Sequence, residues 1–280
     1  MNHSPDQTPI LPSIDSSHTS ETAVLIPARF ASSRLKEKML HFIAGKPLIQ
    51  WTYERACEEF ASSNIHILTD DLAIYSVAKT FNAQVWMTPQ ECESGTARIN
   101  WALNHDLNFL QAKWIIGLQG DEPLIDMKAV RLCLKALQDH PDAVLSTLST
   151  PISPTDFQNP NIVKCVSDRY ERALYFSRSP IPNPGNHKKC QEMPLRAKRH
   201  VGIYIWQKDF IKDSYQRLEP SFLHQSEDLE QLKLLEAGYR IQIAHWPYPI
   251  APGIDTYEEA LATESMIMNS TSLATTEERL

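Results

Sequence analysis

Glycine is scarce, with 8 in 280 residues, and that excludes a collagen-like or glycine-rich low-complexity chain. Long apolar runs are missing too: none approaches the roughly 20 residues that cross a bilayer. Basic residues are outnumbered, 27 against 34 acidic, for a net charge of −7. A surface that coats nucleic acid needs clustered excess cations, so that class is excluded. Cysteine is sparse and odd in number, 5 in all. Cys57, Cys92, Cys133, Cys165 and Cys190 form no Cys-x-x-Cys pair, so neither a disulfide framework nor a cysteine zinc site is indicated. Scattered reduced thiols fit a cytoplasmic protein, as buried filler more readily than as a catalytic group. Neither G-x-G-x-x-G nor G-x-x-x-x-G-K-[ST] occurs, which removes the dinucleotide fingerprint and the Walker loop.

What is present is enough apolar residue, 42%, for a real core. Residues 1–22 lack Lys and Arg and have no apolar middle, so they read as a disordered tail and not as a signal peptide. The residues from Ser265 to Leu280 are polar and expected to be loose. Between them, 23–264 reads as one domain without linker or repeat.

Short apolar runs alternate with helical periodicity, the pattern of an α/β sheet. Strands are expected at Ala23–Pro27, Asn64–Thr69, Gln84–Met87, Trp114–Leu118 and Ala143–Thr147. Helices are expected at Pro47–Phe60, Asp71–Phe81, Gly95–Leu110 and Asp126–Gln138. The second half is richer in β-branched and aromatic residues, with strands at Ile162–Ser167, Ala173–Ser177, Val201–Trp206 and Arg240–His245. A helix over Glu227–Ala237 ends at Gly238, and another spans Asp255–Thr263 with Asp255 or Thr256 as N-cap. Ligands gather where such strands end, so the chemistry belongs at Pro27–Lys38, Gln119–Pro123 and near Asp255.

The loop after the first strand places Arg29, Arg34, Lys36 and Lys38 close together. Forked guanidinium donors and a point ammonium charge are what a polyphosphate needs, although a solvated basic loop has the same composition. Gln119-Gly120-Asp121-Glu122-Pro123 puts a carboxylate at a strand's end, where Mg²⁺ could be held together with phosphate oxygens, or where Asp simply caps a turn. Asp255 is a second such carboxylate, or an ordinary helix cap. Ser94-Gly95-Thr96 precedes a helix and would let a flat base approach the backbone. His200 and Tyr204, four apart in a strand, share a face. Glu230 and Gln231 lie on an amphipathic helix.

Nine segments, IPARFASSRL, TDD, ESGTARI, LQGDEPLI, NPNIVK, ALYFSRSPIP, RHVGIY, EDLEQLKLLEAG and GIDTYEE, follow one another in an order and spacing that resembles the 3-deoxy-manno-octulosonate (KDO) cytidylyltransferases, the CMP-KDO synthetases of lipopolysaccharide precursor synthesis. The resemblance runs from about Val24 to Leu261. It implies a nucleotide-diphosphosugar transferase fold, a Rossmann-like single α/β domain with a mixed, mostly parallel sheet that usually dimerises. The substrates it implies are CTP and an eight-carbon sugar acid, with Mg²⁺ as cofactor. Ala28, Arg29, Arg34 and Lys38 match the triphosphate loop. Ser94, Gly95, Thr96 and Arg98 match the cytidine motif, with Gln119 beside it. Asp121 and Asp255 match the two metal-holding aspartates. His200, Tyr204, Glu230 and Gln231 match positions lining the sugar-acid pocket, and Lys164 and Arg178 are assigned to the same acidic substrate. Arg29, Arg34, Lys38 and Asp121 are the residues expected to act on the transition state. The neighbouring readings are the same reaction on 8-amino-KDO or another sugar acid, a transferase of GTP or UTP, and a catalytically impaired nucleotide-binding relative. One departure stands out. Where the family loop usually reads Arg-Leu-Pro-Gly-Lys-Pro, this chain has Arg34-Leu35-Lys36-Glu37-Lys38-Met39, so a more mobile loop is expected.

Overall fold

The computed structural model describes residues 21–29, 35–105, 111–183 and 197–277. Its centre is β1 (Thr22–Ala28), in which every residue is buried. A parallel strand covered on both faces reads as an unbroken apolar run, as AVLI does here. β1 lies between β4 (Ile65–Thr69) and β6 (Trp114–Gly117), parallel to both, and β4 carries β5 (Gln84–Met87) on its far side. On the other flank β10 (Lys198–Gln207) runs antiparallel to β6 and to β7 (Ala143–Pro151), and β11 (Arg240–His245) pairs parallel with β7. The order is β11-β7-β10-β6-β1-β4-β5. A hairpin of β8 (Lys164–Ser167) and β9 (Ala173–Ser177) joins through β10, and β2 (Phe42–Ile43) with β3 (Lys46–Pro47) forms a separate two-stranded piece.

Helices pack on both faces. α1 (Leu48–Cys57) buries Leu48, Ile49, Thr52, Tyr53 and Ala56, a stripe of helical period. α2 (Leu72–Thr80) starts at Asp71, whose carboxylate accepts from the amides of Ala73 and Ile74. α4 (Met127–Asp139) starts at Asp126 in the same way; such caps contribute about 1 kcal/mol each. These three helices cover Val24 and Ile26, while α3 (Gly95–His105) covers Ala23 and Leu25. The remaining helices among the described residues are α5 (Pro154–Gln158), α6 (Phe222–Glu227), α7 (Leu232–Glu236) and α8 (Tyr257–Glu277).

Three expectations are corrected. The helix read over Glu227–Ala237 is divided: α6 ends at Glu227, Asp228 turns left-handed at φ 52°, and α7 begins only at Leu232. Its C-terminal signal does hold, since Gly238 sits at φ 82° and a Schellman pair closes the helix, Tyr239 N to Leu234 O and Gly238 N to Leu235 O. The C-terminal residues are not a loose tail from 265 on, because α8 continues to Glu277 and buries Ile267 against Leu35, Ile43 and Leu48. The strands expected at Ala143–Thr147 and Val201–Trp206 are longer, since buried Ser149 and Thr150 extend β7 and Lys198–His200 extend β10. The residues 106–110 of the helix expected over Gly95–Leu110 fall outside the described residues, as do Cys190 and residues 1–20. No described helix is long and apolar enough to cross a membrane.

Candidate active site

Parallel β1 and β6 end on the same edge of the sheet, and the chain beyond each end forms one wall of a cavity of about 610 Å³. Pro27 and Arg29 line it from β1, and Gln119, Gly120 and Asp121 from β6. Ala28, named with the phosphate loop, is fully buried and turns its methyl into the core; strand alternation leaves its two neighbours facing the cavity. Arg34 lies outside the described residues. Gly120 has a steric reason: a Cβ there would come within 3.0 Å of Met39 Sδ and 3.2 Å of Pro27 O.

Lys38 lies in a 3-10 turn, Lys38–Leu40, closed by bonds from Leu40 N to Glu37 O and from His41 N to Lys38 O. Its ammonium donates to Asp121 Oδ2 at 2.5 Å and to Asp255 Oδ1 at 2.9 Å. Two carboxylates 134 residues apart in sequence thus meet on one cation. Burial pulls the ammonium's pKa down, but the two carboxylates outweigh it and leave it above its ordinary value. Asp255 is held in place through its backbone. The adjacent amide of Ile254 donates to Asp121 O at 2.9 Å. Thr256 and Glu259 form a capping box, Glu259 N to Thr256 Oγ1 and Thr256 N to Glu259 Oε2, and the same Glu259 oxygen accepts from Asp255 N. Thr256 is therefore the cap, and the Asp255 side chain is not used for it.

The start of α3 supplies a further part of the lining, and Gly95 lies beside Pro27 and Gln119. Ser94, Gly95 and Arg98 line the cavity with Cys92 and Glu93. Arg98 is 2% exposed and spends its guanidinium on Asp70 Oδ2 at 2.8 Å and on Thr88 Oγ1. Thr96 is buried, and its hydroxyl donates to Glu230 Oε2 at 3.0 Å, while Ser94 Oγ donates to Glu230 Oε1 at 3.2 Å.

A second cavity of about 240 Å³ is lined by His200, Tyr204 and Gln231, with Arg199 and Leu229. Tyr204 donates to Gln231 Oε1 at 2.9 Å, and Gln231 Nε2 is buried with no partner. His200 Nε2 pairs with Thr147 Oγ1 at 2.8 Å, and burial, followed by the Arg199 charge, pulls its pKa to about 3. It is a neutral imidazole. Glu230 and Gln231 are adjacent, so a single peptide link joins the two cavities, Glu230 bonding the α3 turn and Gln231 lining the smaller space.

A cytidylyltransferase family model matches residues 23–241. The mitochondrial 3-deoxy-manno-octulosonate cytidylyltransferase of Arabidopsis thaliana is 41% identical over 245 residues, 87% of this chain and 82% of that one. The Escherichia coli enzyme of the same name is 38% identical over 240 residues, 85% of this chain and 92% of its own. The chain belongs to the 3-deoxy-manno-octulosonate cytidylyltransferase family. A solved structure of CMP:2-keto-3-deoxy-manno-octonic acid synthetase complexed with CTP superposes on this cytidylyltransferase with a TM-score of 0.82 at 36% identity, covering 90% of this chain and 100% of that one. The fold is accordingly that of the nucleotide-sugar transferases, a single mixed α/β domain.

Two cations assigned to the acidic substrate have their side chains bonded within the fold of this cytidylyltransferase. Lys164 is fully buried, and its ammonium is consumed by the carbonyls of Asn159, Ile162 and Arg178. Arg178 donates to the carbonyls of Glu227 and Asp228 and holds the left-handed break between α6 and α7. Lys164 is spent on backbone, and Arg178 on backbone and on the Asp228 carboxylate at 3.6 Å. Glu230 also departs from its expected place, since its carboxylate faces the α3 turn. Glu122 carries no sequence signal of its own beside Asp121. Burial, then the Asp121 charge, push its carboxyl up to about 8 against the opposing Arg199, and its Oε2 has no partner. Glu122 is therefore largely uncharged at neutral pH, although its spacing next to Asp121 gave no sign of it.

Proposed function

We propose that this protein transfers the cytidylyl group of CTP to the anomeric C2 hydroxyl of 3-deoxy-manno-octulosonate, giving CMP-KDO and pyrophosphate. The observation that carries the reading is the pair of carboxylates, Asp121 and Asp255, converged on the Lys38 ammonium in the wall of a nucleotide-sized cavity. The relatives' names and the CTP complex of the structural neighbour support the choice of substrates.

The donor set fits a magnesium ion. Two carboxylate oxygens already meet on one cationic group, with Lys38 as its stand-in, and Mg²⁺ is characteristically held by one or two carboxylates plus substrate phosphates. Asp121 and Asp255 would hold it. When bound, it supplies charge neutralisation at the phosphates and a lower pKa for the attacking hydroxyl. The chain's own residues do the rest. Arg29 and Lys38 offset charge on the phosphates. The Gly95 turn admits a flat base beside Gln119. Gln231 Nε2, a buried donor without a partner, waits for a substrate oxygen, and Tyr204 fixes its orientation. Neutral His200 adds polarity without charge. Nucleotidyl transfer of this kind needs alignment and charge balance, and no covalent intermediate with the chain is required. The same reading carries a homodimer in the cytoplasm; Cys57, Cys92, Cys133 and Cys165 are free thiols, as a reducing compartment would keep them.

A coupled pyrophosphate assay with CTP, KDO and Mg²⁺ tests the reading, with 8-amino-KDO and the other nucleoside triphosphates run beside it. Asp121→Asn should lower turnover by at least ~10²-fold while the protein stays folded. Near-normal pyrophosphate release by folded Asp121→Asn would remove the metal assignment. A clear preference for 8-amino-KDO or for another nucleotide would move the substrate.

A further inference from the structure

The segment Phe210–Arg217 holds none of the chemistry assigned so far. It forms a π-helical turn, Phe210–Ser214, and a 3-10 turn, Tyr215–Arg217. It is nevertheless bonded to α3 at two levels. In the middle of α3, Asn100 Nδ2 donates to the carbonyls of Ile211 and Lys212 at 2.5 and 3.2 Å, and Gln216 Nε2 donates to Asn100 Oδ1. At the start of α3 the connection runs through Glu230. The Tyr215 hydroxyl donates to Glu230 Oε1, the same oxygen that accepts from Ser94 Oγ at 3.2 Å, and Oε2 takes Thr96 Oγ1 at 3.0 Å. Ser94 Oγ accepts in turn from Ala97 N at 3.1 Å. One carboxylate therefore gathers three hydroxyls, two of them from the turn that lines the nucleotide cavity.

Tyr215 is itself fixed. It is 7% exposed, meets Trp206 edge-on at 5.5 Å between centroids, and has the Lys233 ammonium 5.1 Å from its ring centre. Burial and the Glu230 charge push the phenol's pKa up, so the hydroxyl remains a donor across the working pH range.

We infer that Tyr215 is a positioning residue for the nucleotide, its hydroxyl orienting Glu230 so that Glu230 sets the Ser94–Thr96 turn at the geometry CTP requires. The inference rests on the cytidylyltransferase reading above. Without the phenol O–H, Glu230 Oε1 loses one of its two donors and keeps Ser94 Oγ. The carboxylate can then shift toward Ser94 and weaken the Ser94 cap on Ala97. The consequence falls on nucleotide affinity, because the bonds that Glu230 makes run to Ser94, Thr96 and Tyr215, while Lys38 bonds Asp121 and Asp255.

The test is Tyr215→Phe, read by calorimetric binding of CTP with Mg²⁺, by steady-state kinetics and by thermal unfolding. Losing one charge-assisted bond should raise the CTP Kd and KM about tenfold, with kcat at saturation within about twofold of wild type. Glu230→Gln should weaken CTP binding comparably, and Tyr215→Phe added to it should change little further, since both act through one carboxylate. A tyrosine that only packs would lower the melting temperature and leave the CTP Kd unmoved. That result, or additive effects in the double variant, overturns the inference alone. Absence of CTP binding by the wild-type protein overturns the reading beneath it as well.

Discussion

Lys38→Met perturbs the site at the atom on which it converges. The Asp121 and Asp255 oxygens share one ammonium, so they lie on the order of 5 Å apart, and at an effective dielectric of ~20 their mutual repulsion is about 3 kcal/mol. Their side chains are 23% and 38% exposed, so solvent screening reduces this to roughly 1–2 kcal/mol. The attraction each had for the ammonium is lost as well, while the cost of burying that ammonium is relieved. A net destabilisation of about 2 kcal/mol corresponds to a fall of roughly 4–8 °C in Tm for a chain of this size. The ammonium's pKa in the folded protein lies above its ordinary 10.5. Its contribution is therefore complete below pH ~10.5 and is lost only as pH rises through the folded value, so the comparison is clean at neutral pH.

The same variant exposes what the carboxylates are for. In chelator, Lys38→Met should melt below wild type. Added MgCl2 should restore much of the difference in the variant and shift wild type far less, since a ligand that binds only the folded state stabilises it by RT ln(1 + [L]/Kd). Differential scanning calorimetry with and without Mg²⁺ measures both. Equal melting of the two proteins in chelator, together with equal shifts on adding Mg²⁺, would show that Asp121 and Asp255 do not form a cation site, and the mechanism would lose its centre.

Glu37 holds φ 52° and ψ 37°, a left-handed conformation that costs a non-glycine residue about 1–2 kcal/mol. Glycine there regains that cost but gives back roughly 0.5–1 kcal/mol of unfolded-state entropy, so Glu37→Gly should raise stability by up to about 1 kcal/mol in denaturant titrations, and Glu37→Val should lower it. A destabilised glycine variant would refute the strain. His200, with its pKa pulled to about 3, stays neutral in the fold while the unfolded chain takes up a proton below pH ~6.5, so its contribution is present above that pH and is lost as pH falls. From pH ~7 to ~5 this amounts to about 2 kcal/mol. His200→Gln should narrow the stability gap between those two pH values by that amount, and an unchanged gap would mean that the imidazole titrates normally.

Much of this was legible because the residues state their environment directly. AVLI in β1, the helices expected from Asp71 and Asp126, and Gly238 at the end of α7 each follow from a local rule, and the structure keeps them. What was not legible was set by contacts from afar. EDLEQLKLLEAG reads as one helix, yet Arg178 and Ser177 reach across and hold Glu227 and the Asp228 carbonyl, and the chain breaks there. Lys164 and Arg178 look like free cations in the sequence, and only the fold shows Lys164 taken up by backbone carbonyls and Arg178 by the carbonyls of Glu227 and Asp228 and by the Asp228 carboxylate. Tyr215 opens a 3-10 turn directly after a π-helical one, and neither leaves a periodic trace, so its bond to Glu230 had no signal in the sequence.

The altered loop is where local preference and tertiary packing conflict most plainly. Losing two prolines and a glycine suggested a freed loop. From Leu35 to Leu40, however, the turn is formed, and Glu37 adopts the left-handed backbone that the glycine at that place in the family pattern would adopt without strain. The reason lies on either side of it. Leu35 is buried against Ile43, Leu48 and Ile254, Met39 is buried in the main core against Gly120, and Lys38 is pinned by two carboxylates. Three anchors flanking a single residue fix its φ whatever its side chain, because moving any of them would open the core or strand a buried charge. On this argument the loop's shape belongs to the site as a whole, and the sequence change at 36–39 costs strain at Glu37 without displacing Lys38.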